Sequence, residues 1–311
     1  MPRLEDFSFD VEQTLASVVA VRTSIPHDAY TASRLGTERA GSGVVIGSDG
    51  LIVTVNYLLT EAESIWVIDN TGKALPAQVI GQDQDSGFGL VQPLQHLNRP
   101  PLSIGKSCDA IVGDKLILSG FGGIKQAQAT RIIAKQEFAG YWEYLLDEAL
   151  FTAPAHPQWG GAALLDPQGD LIGTGSLLVQ QEVKGESIHV NMFVPIDLLA
   201  PILDAMLKTG RGPNPPHPWL GMYTQDPEGK LVVGTVTTGG PAERAGVRAG
   251  DMVLGVGVRR VHGLIELFRA IRKLGPAGVD VPLMLARAGD VLRITVKSAD
   301  RDDFLKKPNL H

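Results

Sequence analysis

GSGVVIGSDGLIVTVNYLL, residues 41–59, decides how the chain folds. Gly43–Ile46 (GVVI) and Leu51–Thr54 (LIVT) are apolar and rich in β-branched residues, and Ser48-Asp49-Gly50 between them is a turn former. The stretch therefore reads as strand, turn, strand. The same pattern continues outward on both sides. Ser17–Arg22, Ile65–Ile68, Ala77–Gly81, Phe88–Gln92 and Lys115–Ser119 read as strands, followed by Thr130–Lys135, Ala162–Leu165, Leu171–Leu178 and Ile188–Val194. Many short strands without alternating helices imply antiparallel barrels or a sandwich. With 36 Gly and 20 Pro in 311 residues, the composition also favours a turn-rich β protein over a helical bundle.

Ile196–Leu207 has helical spacing and closes this region, with Pro201 an expected kink. The Pro- and Gly-rich stretch 208–217 fits neither helix nor strand and reads as a linker. A second unit over 218–298 follows. Its expected strands are Leu231–Val236, Met252–Val256, Val281–Ala286 and Leu292–Lys297, with a short helix at Pro241–Ala245 and an amphipathic one at Leu264–Leu274. Residues 299–311 form a charged tail.

A net charge of −6 argues against a nucleic-acid surface, which needs cations to replace phosphate counterions. Cys108, the single cysteine, cannot form an internal disulfide and reads as a packing residue. Glu5, Asp6, Asp10 and Glu12 interrupt the apolar run a signal peptide needs, and no 18-residue apolar run suggests a membrane span. The expectation from these features is a cytoplasmic protein. The seven histidines show no metal-ligand spacing, so neither metal nor cofactor is expected.

Three blocks in order, 41–59, VIGQDQDSGFGLVQP (79–93) and AHPQWGGAALLDPQGDLIG (155–173), resemble the HtrA/Deg family of trypsin-fold serine proteases that carry PDZ domains. The resemblance implies a trypsin-like double β-barrel over residues 1–207. It also places Tyr57, Gly87 and Gly160 where the family has its catalytic His, Asp and Ser, and Gln158 where it has an oxyanion-hole glycine. A serine hydroxyl needs a histidine to take its proton and an aspartate to hold that imidazole. Glycine offers no nucleophile, and a phenol is a poor base at neutral pH. The expectation is a non-enzymatic, catalytically degenerate protein that binds a partner as scaffold, assembly factor or regulator.

Two alternatives stand beside it: a serine endopeptidase with a relocated nucleophile, Ser86 or Ser119, and a structural subunit, since the family commonly forms trimers. Phe7 and Phe9 are aromatic candidates for such contacts. His156 reads as a surface-loop residue, and Asp83 and Asp85 as solvated turn residues. Trp159 reads either as a plug for the former substrate cleft or as a stacking surface.

PWLGM (218–222) and GPAERAGVRAGD (240–251) resemble a bacterial HtrA-type PDZ domain. The resemblance implies that backbone N–H groups around Leu220, Gly221 and Met222 capture a peptide C-terminus, with Leu264 and Phe268 on the far wall of the groove. That groove is either open to a protein or peptide partner or filled by the chain itself.

Overall fold

A computed structural model describes residues 9–140, 144–183, 185–226 and 229–307. Phe7 lies outside the described residues. The chain divides into two compact units: 1–136 with 147–213 and 306–311, and 137–146 with 214–305.

The first unit contains two closed antiparallel barrels. The first barrel is built from β1 (Val18–Ser24), β2 (Glu38–Val45), β3 (Ile52–Val55), β4 (Ser64–Ile68), β5 (Ala74–Gln82) and β6 (Phe88–Pro93), in the order β1-β2-β3-β6-β5-β4. The second comprises β7 (Lys115–Ser119), β8 (Ala127–Ala139), β9 (Leu145–Ala153), β10 (Ala163–Leu165), β11 (Leu171–Val183) and β12 (Glu186–Pro195), in the order β10-β11-β12-β9-β8-β7. Closure leaves no edge strand to template aggregation. Alternation along each strand sends Val19, Val21, Ile52, Val67 and Val91 into the first core, and Leu116, Leu118, Leu150, Leu164 and Phe193 into the second. Each such side chain contributes roughly 1.5–3 kcal/mol by leaving water.

The turn expected at Ser48-Asp49-Gly50 joins β2 to β3, and Asp49 accepts the Leu51 N–H at 3.1 Å. Pro201 does not kink a helix. A short 3₁₀ turn at Ile196–Leu198 precedes an α-helix over Ala200–Thr209, placing Pro201 in the first turn, where its missing N–H forfeits no intrahelical bond. β9 was not expected as a strand because Asp147 and Glu148 interrupt its apolar run. Both are exposed, while Ala149 through Thr152 are buried.

The second unit is a sheet of β13 (Met222–Gln225), β14 (Val232–Val236), β15 (Met252–Val256), β16 (Arg259–Arg260), β17 (Asp280–Arg287) and β18 (Asp290–Lys297), ordered β13-β14-β15-β17-β18 with β16 against β15. The helix Leu264–Arg272 covers it, and Leu267, Phe268 and Ile271 join Leu220, Val233, Val281 and Val296 in the core. Among the described residues, no helix is long and apolar enough to cross a membrane. None of the described His, Cys, Asp and Glu residues cluster in threes that could hold a metal ion.

Candidate functional site

β3 runs directly into a single helical turn, Asn56–Leu59, which carries Tyr57. β3 pairs with β6 in the register Val55↔Phe88, so Gly87 arrives beside Asn56 and accepts its N–H at 2.8 Å. Gly87 adopts φ +78°, closing a tight turn whose other end is Asp83. The Asp83 carboxylate accepts the N–H and the hydroxyl of Ser86, at 2.7 and 2.6 Å. Asp83 is therefore a buried turn organiser and not the solvated residue expected of it. Ser86 is likewise buried with its hydroxyl committed.

From the second barrel, the loop before β10 brings Gly160 against Tyr57. A Cβ built on Gly160 would sit 2.7 Å from the Tyr57 hydroxyl oxygen. The Gly160 carbonyl accepts the Ser42 N–H at 2.7 Å, which seats the loop on β2. The next residue shows why glycine is required there: Gly161 has φ +72°, and a Cβ on it would lie 1.8 Å from the Ser42 carbonyl oxygen. The Tyr57 hydroxyl donates to the Ser176 carbonyl at 3.2 Å. Burial pushes this phenol well above its usual range, and a hydrogen bond with Trp159 pulls the other way. It holds its proton at neutral pH and cannot act as a base.

Arg39 fixes the turn carrying Tyr57 from behind. Its guanidinium donates to the carbonyls of Tyr57 at 2.6 Å and Thr60 at 3.0 Å, and to the Thr31 hydroxyl at 2.6 Å. This anchor was not identified from the sequence. A lone arginine on a strand gives no sign of where its side chain is bonded.

At 156–158 the backbone is held in a closed arrangement. The Gln158 N–H donates to His156 Nδ1 at 3.1 Å, so it is committed to an imidazole. His156 in turn exchanges backbone bonds with the Asn191 side chain, at 2.6 and 3.1 Å. His156 is buried, contrary to the surface-loop reading, and burial pushes its imidazole below the usual range. The sequence signal was Asn191, an amide in an apolar strand that needs partners when buried. Ser119 is fully buried with its hydroxyl donating to the Gly120 carbonyl at 2.9 Å. Cys108 is exposed and not a packing residue; its N–H donates to Asp197 at 2.8 Å.

Around Tyr57 and Gly160 opens a cleft of about 500 Å³, lined by Leu35, Leu58, Phe121, Gln158 and Trp159 among others. Trp159 stands half-buried in its wall. In the second unit, Leu220 and Met222 point into the core, and Gly221 at φ +69° turns the chain between them. Thr237 N–H donates to the Gly221 carbonyl at 2.7 Å and Ala242 N–H to the Leu220 carbonyl at 2.8 Å, which holds the loop. Phe268 is buried in the core, and Leu264 lines a separate opening with Ile265, Asp226 and Arg269.

The trypsin-like peptidase domain family matches residues 41–173, and the PDZ domain family matches 232–287. The chain is a trypsin-like domain followed by a PDZ domain, and it is similar to HtrA/DegP-type proteins. A probable periplasmic serine endoprotease DegP-like of Halomonas elongata is 27% identical over 280 residues, covering 86% of this chain and 57% of the relative. The serine protease PepD of Mycobacterium tuberculosis is 27% identical over 292 residues, covering 86% and 61%. The periplasmic pH-dependent serine endoprotease DegQ of Escherichia coli is 26% identical over 271 residues, covering 83% and 59%. The chain thus spans a little over half the length of these relatives. A solved structure of the HtrA-type protease AlgW with decapeptide shares its fold, with a TM-score of 0.54 at 20% identity over 96% of this chain and 98% of that one.

These relatives correct two expectations. They are named serine proteases, two of them endoproteases, which overturns the reading of this chain as a non-enzymatic scaffold, assembly factor or regulator. That reading argued from three aligned positions to the whole protein. The cytoplasmic expectation falls as well, because the Halomonas and Escherichia relatives are named periplasmic. Acidic residues near the start of a sequence do not establish where a protein works.

Proposed function

We propose that this chain acts on polypeptides, as the names of its serine endoprotease relatives suggest, and binds them in two places. An extended segment lies in the cleft around Tyr57, Phe121 and Trp159. A peptide C-terminus is taken at Leu220–Met222 of the PDZ domain, with Leu264 on the groove side, while Phe268 serves the core. The observation that carries this reading is the open cleft of about 500 Å³ where Tyr57 and Gly160 converge, lined by the apolar side chains of Leu35, Leu58, Phe121 and Trp159 alongside polar ones. The structure of AlgW with decapeptide supports the same ligand class.

Within this proposal, Tyr57, Gly87 and Gly160 occupy the family's His, Asp and Ser positions, and Gln158 the oxyanion-hole position. Hydrolysis at this cleft then draws its nucleophile from outside those positions. Ser86 and Ser119 do not supply it as they stand, being buried and hydrogen-bonded inward. The trimer implied by the family resemblance belongs to the same proposal, and light scattering tests it.

The test pairs a binding and a cleavage readout on one unfolded, fluorescently labelled polypeptide. Saturable binding that weakens at least about tenfold in Trp159→Ala is expected, as for a central aromatic contact. Product that appears with the wild type and disappears on substituting a residue of this chain identifies the reacting group. Absence of saturable binding would overturn the proposal.

A further inference from the structure

The cleft does not end at Tyr57. Three cross-strand pairs align Pro76 with Trp66, Trp66 with Arg22, and Arg22 with Ala40, so one row crosses the outer face of the first barrel from β5 to β2. Directly paired residues project from the same face, and neighbouring strands lie about 4.8 Å apart. Arg22 and Ala40 line the cleft itself, and Trp66 stands next in the row, 45% exposed. An indole this exposed on a sheet face is a ready platform for a ligand side chain.

The charges along the row are unequal. Three charged residues line the cleft: Arg22, Glu38 and Arg39. Arg39 is buried, with its donors committed to the carbonyls of Gly36, Tyr57 and Thr60 and to Thr31. Glu38 accepts the Ser24 hydroxyl at 3.0 Å, two residues along β2 from Ala40. The Arg22 side chain is exposed and, among the described residues, makes no hydrogen bond or ion pair. Among the described residues, the Arg22 guanidinium therefore stands unpaired between the exposed Trp66 indole and the cleft, with the Glu38 carboxylate lining the same cleft and disfavouring acid at its own end.

We propose that Arg22 and Trp66 extend the cleft into a specificity site for a polypeptide segment that carries an acidic side chain next to an aromatic or large apolar one. The inference rests on the reading of the cleft as a polypeptide site and specifies its ligand. The carboxylate pairs with the Arg22 guanidinium, which suits it bidentately. The neighbouring apolar side chain lies on Trp66.

The probes are two acetylated and amidated peptides, identical except for Glu or Gln beside a central Phe, titrated by fluorescence anisotropy at low and high salt. Blocking both ends removes the terminal carboxylate as an alternative source of charge. The Glu peptide is expected to bind about 3- to 10-fold more tightly at low salt, with the difference shrinking at high salt, as for an exposed charge pair. Arg22→Glu should abolish or invert that difference while the Gln peptide still binds. Trp66→Ala should weaken both peptides. Both side chains are exposed, so unchanged thermal unfolding confirms that the variants are folded. Equal binding of the two peptides by the wild type, or a difference that survives Arg22→Glu, overturns this inference and leaves the cleft reading intact. Binding of neither peptide removes the cleft reading and this inference together.

Discussion

The cleft around Tyr57 and the PDZ loop at Leu220–Met222 are built on opposite principles. The cleft is lined by side chains brought from two barrels, with Tyr57 and Leu58 from one and Phe121, Gln158 and Trp159 from the other. The PDZ loop is defined by backbone: Gly221 in the left-handed region, and two carbonyls held by Thr237 and Ala242. A site made of side chains changes its chemistry with a few substitutions, while a backbone site keeps its binding groups through most of them.

The sharpest way to break this contrast is to load the glycine at each site. Gly161→Ala places a Cβ 1.8 Å from the Ser42 carbonyl in a backbone already at positive φ, so a loss of at least about 4 kcal/mol in urea unfolding is expected. Gly221→Ala also sits at positive φ, but its nearest neighbour is the Trp219 ring at 3.0 Å, and about 1–2 kcal/mol is expected. Equal losses would mean that the two loops are held alike.

Asp251→Ala sharpens the comparison from the PDZ side. Its nearly inaccessible carboxylate accepts from Arg287 at 2.6 and 2.7 Å and from the Arg248 N–H at 2.8 Å. Removing it strands those donors, and denaturant unfolding should show a loss of about 2–3 kcal/mol.

Acid titration then compares the units through one carboxylate each. The hydrogen bond from Arg287 holds Asp251 below the usual carboxylate range. Burial pushes Glu61 upward, but hydrogen bonds from Lys306, Thr31 and Tyr30 outweigh it and leave it lowered as well. For both, the folded-state value is depressed. Their stabilisation is fully present above the unfolded value of roughly 4 and is lost as pH falls through the folded one. Thermal unfolding from pH 7 to 3 should show both units weakening below about pH 4, and Glu61→Gln should flatten that fall for the first unit.

The smallest effect is expected at Lys208, whose pair with Asp204 one helical turn away is exposed on both sides. Lys208→Ala should change stability by no more than about 0.5 kcal/mol.

Much of this architecture was legible in the sequence because β-strands and turns announce themselves locally. The runs around Val44, Val53 and Val67, punctuated by SDG, required only alternation and turn chemistry to be placed. β9 escaped because its exposed Asp147 and Glu148 interrupt a strand whose continuous buried run begins only at Ala149. The site was legible as positions, since Tyr57 and Gly160 do meet. Its supporting bonds were not. The Gln158 N–H on His156, the Arg39 clasp on the Tyr57 turn and the buried Asp83 carboxylate all depend on contacts distant in sequence or on local turn geometry. The functional reading failed where it extended three aligned positions, Tyr57, Gly87 and Gly160, to the whole protein.

Hydrogen–deuterium exchange with and without a saturating unfolded polypeptide tests the central claim most directly, because it reports on both sites at once. The expected result is added protection at Ala40–Ser42 and Gln158–Gly160 in the cleft, and at Leu220–Met222 in the PDZ loop. Unchanged exchange at all three segments, under conditions where the polypeptide is in excess, would contradict the claim that this chain acts on polypeptides through these surfaces.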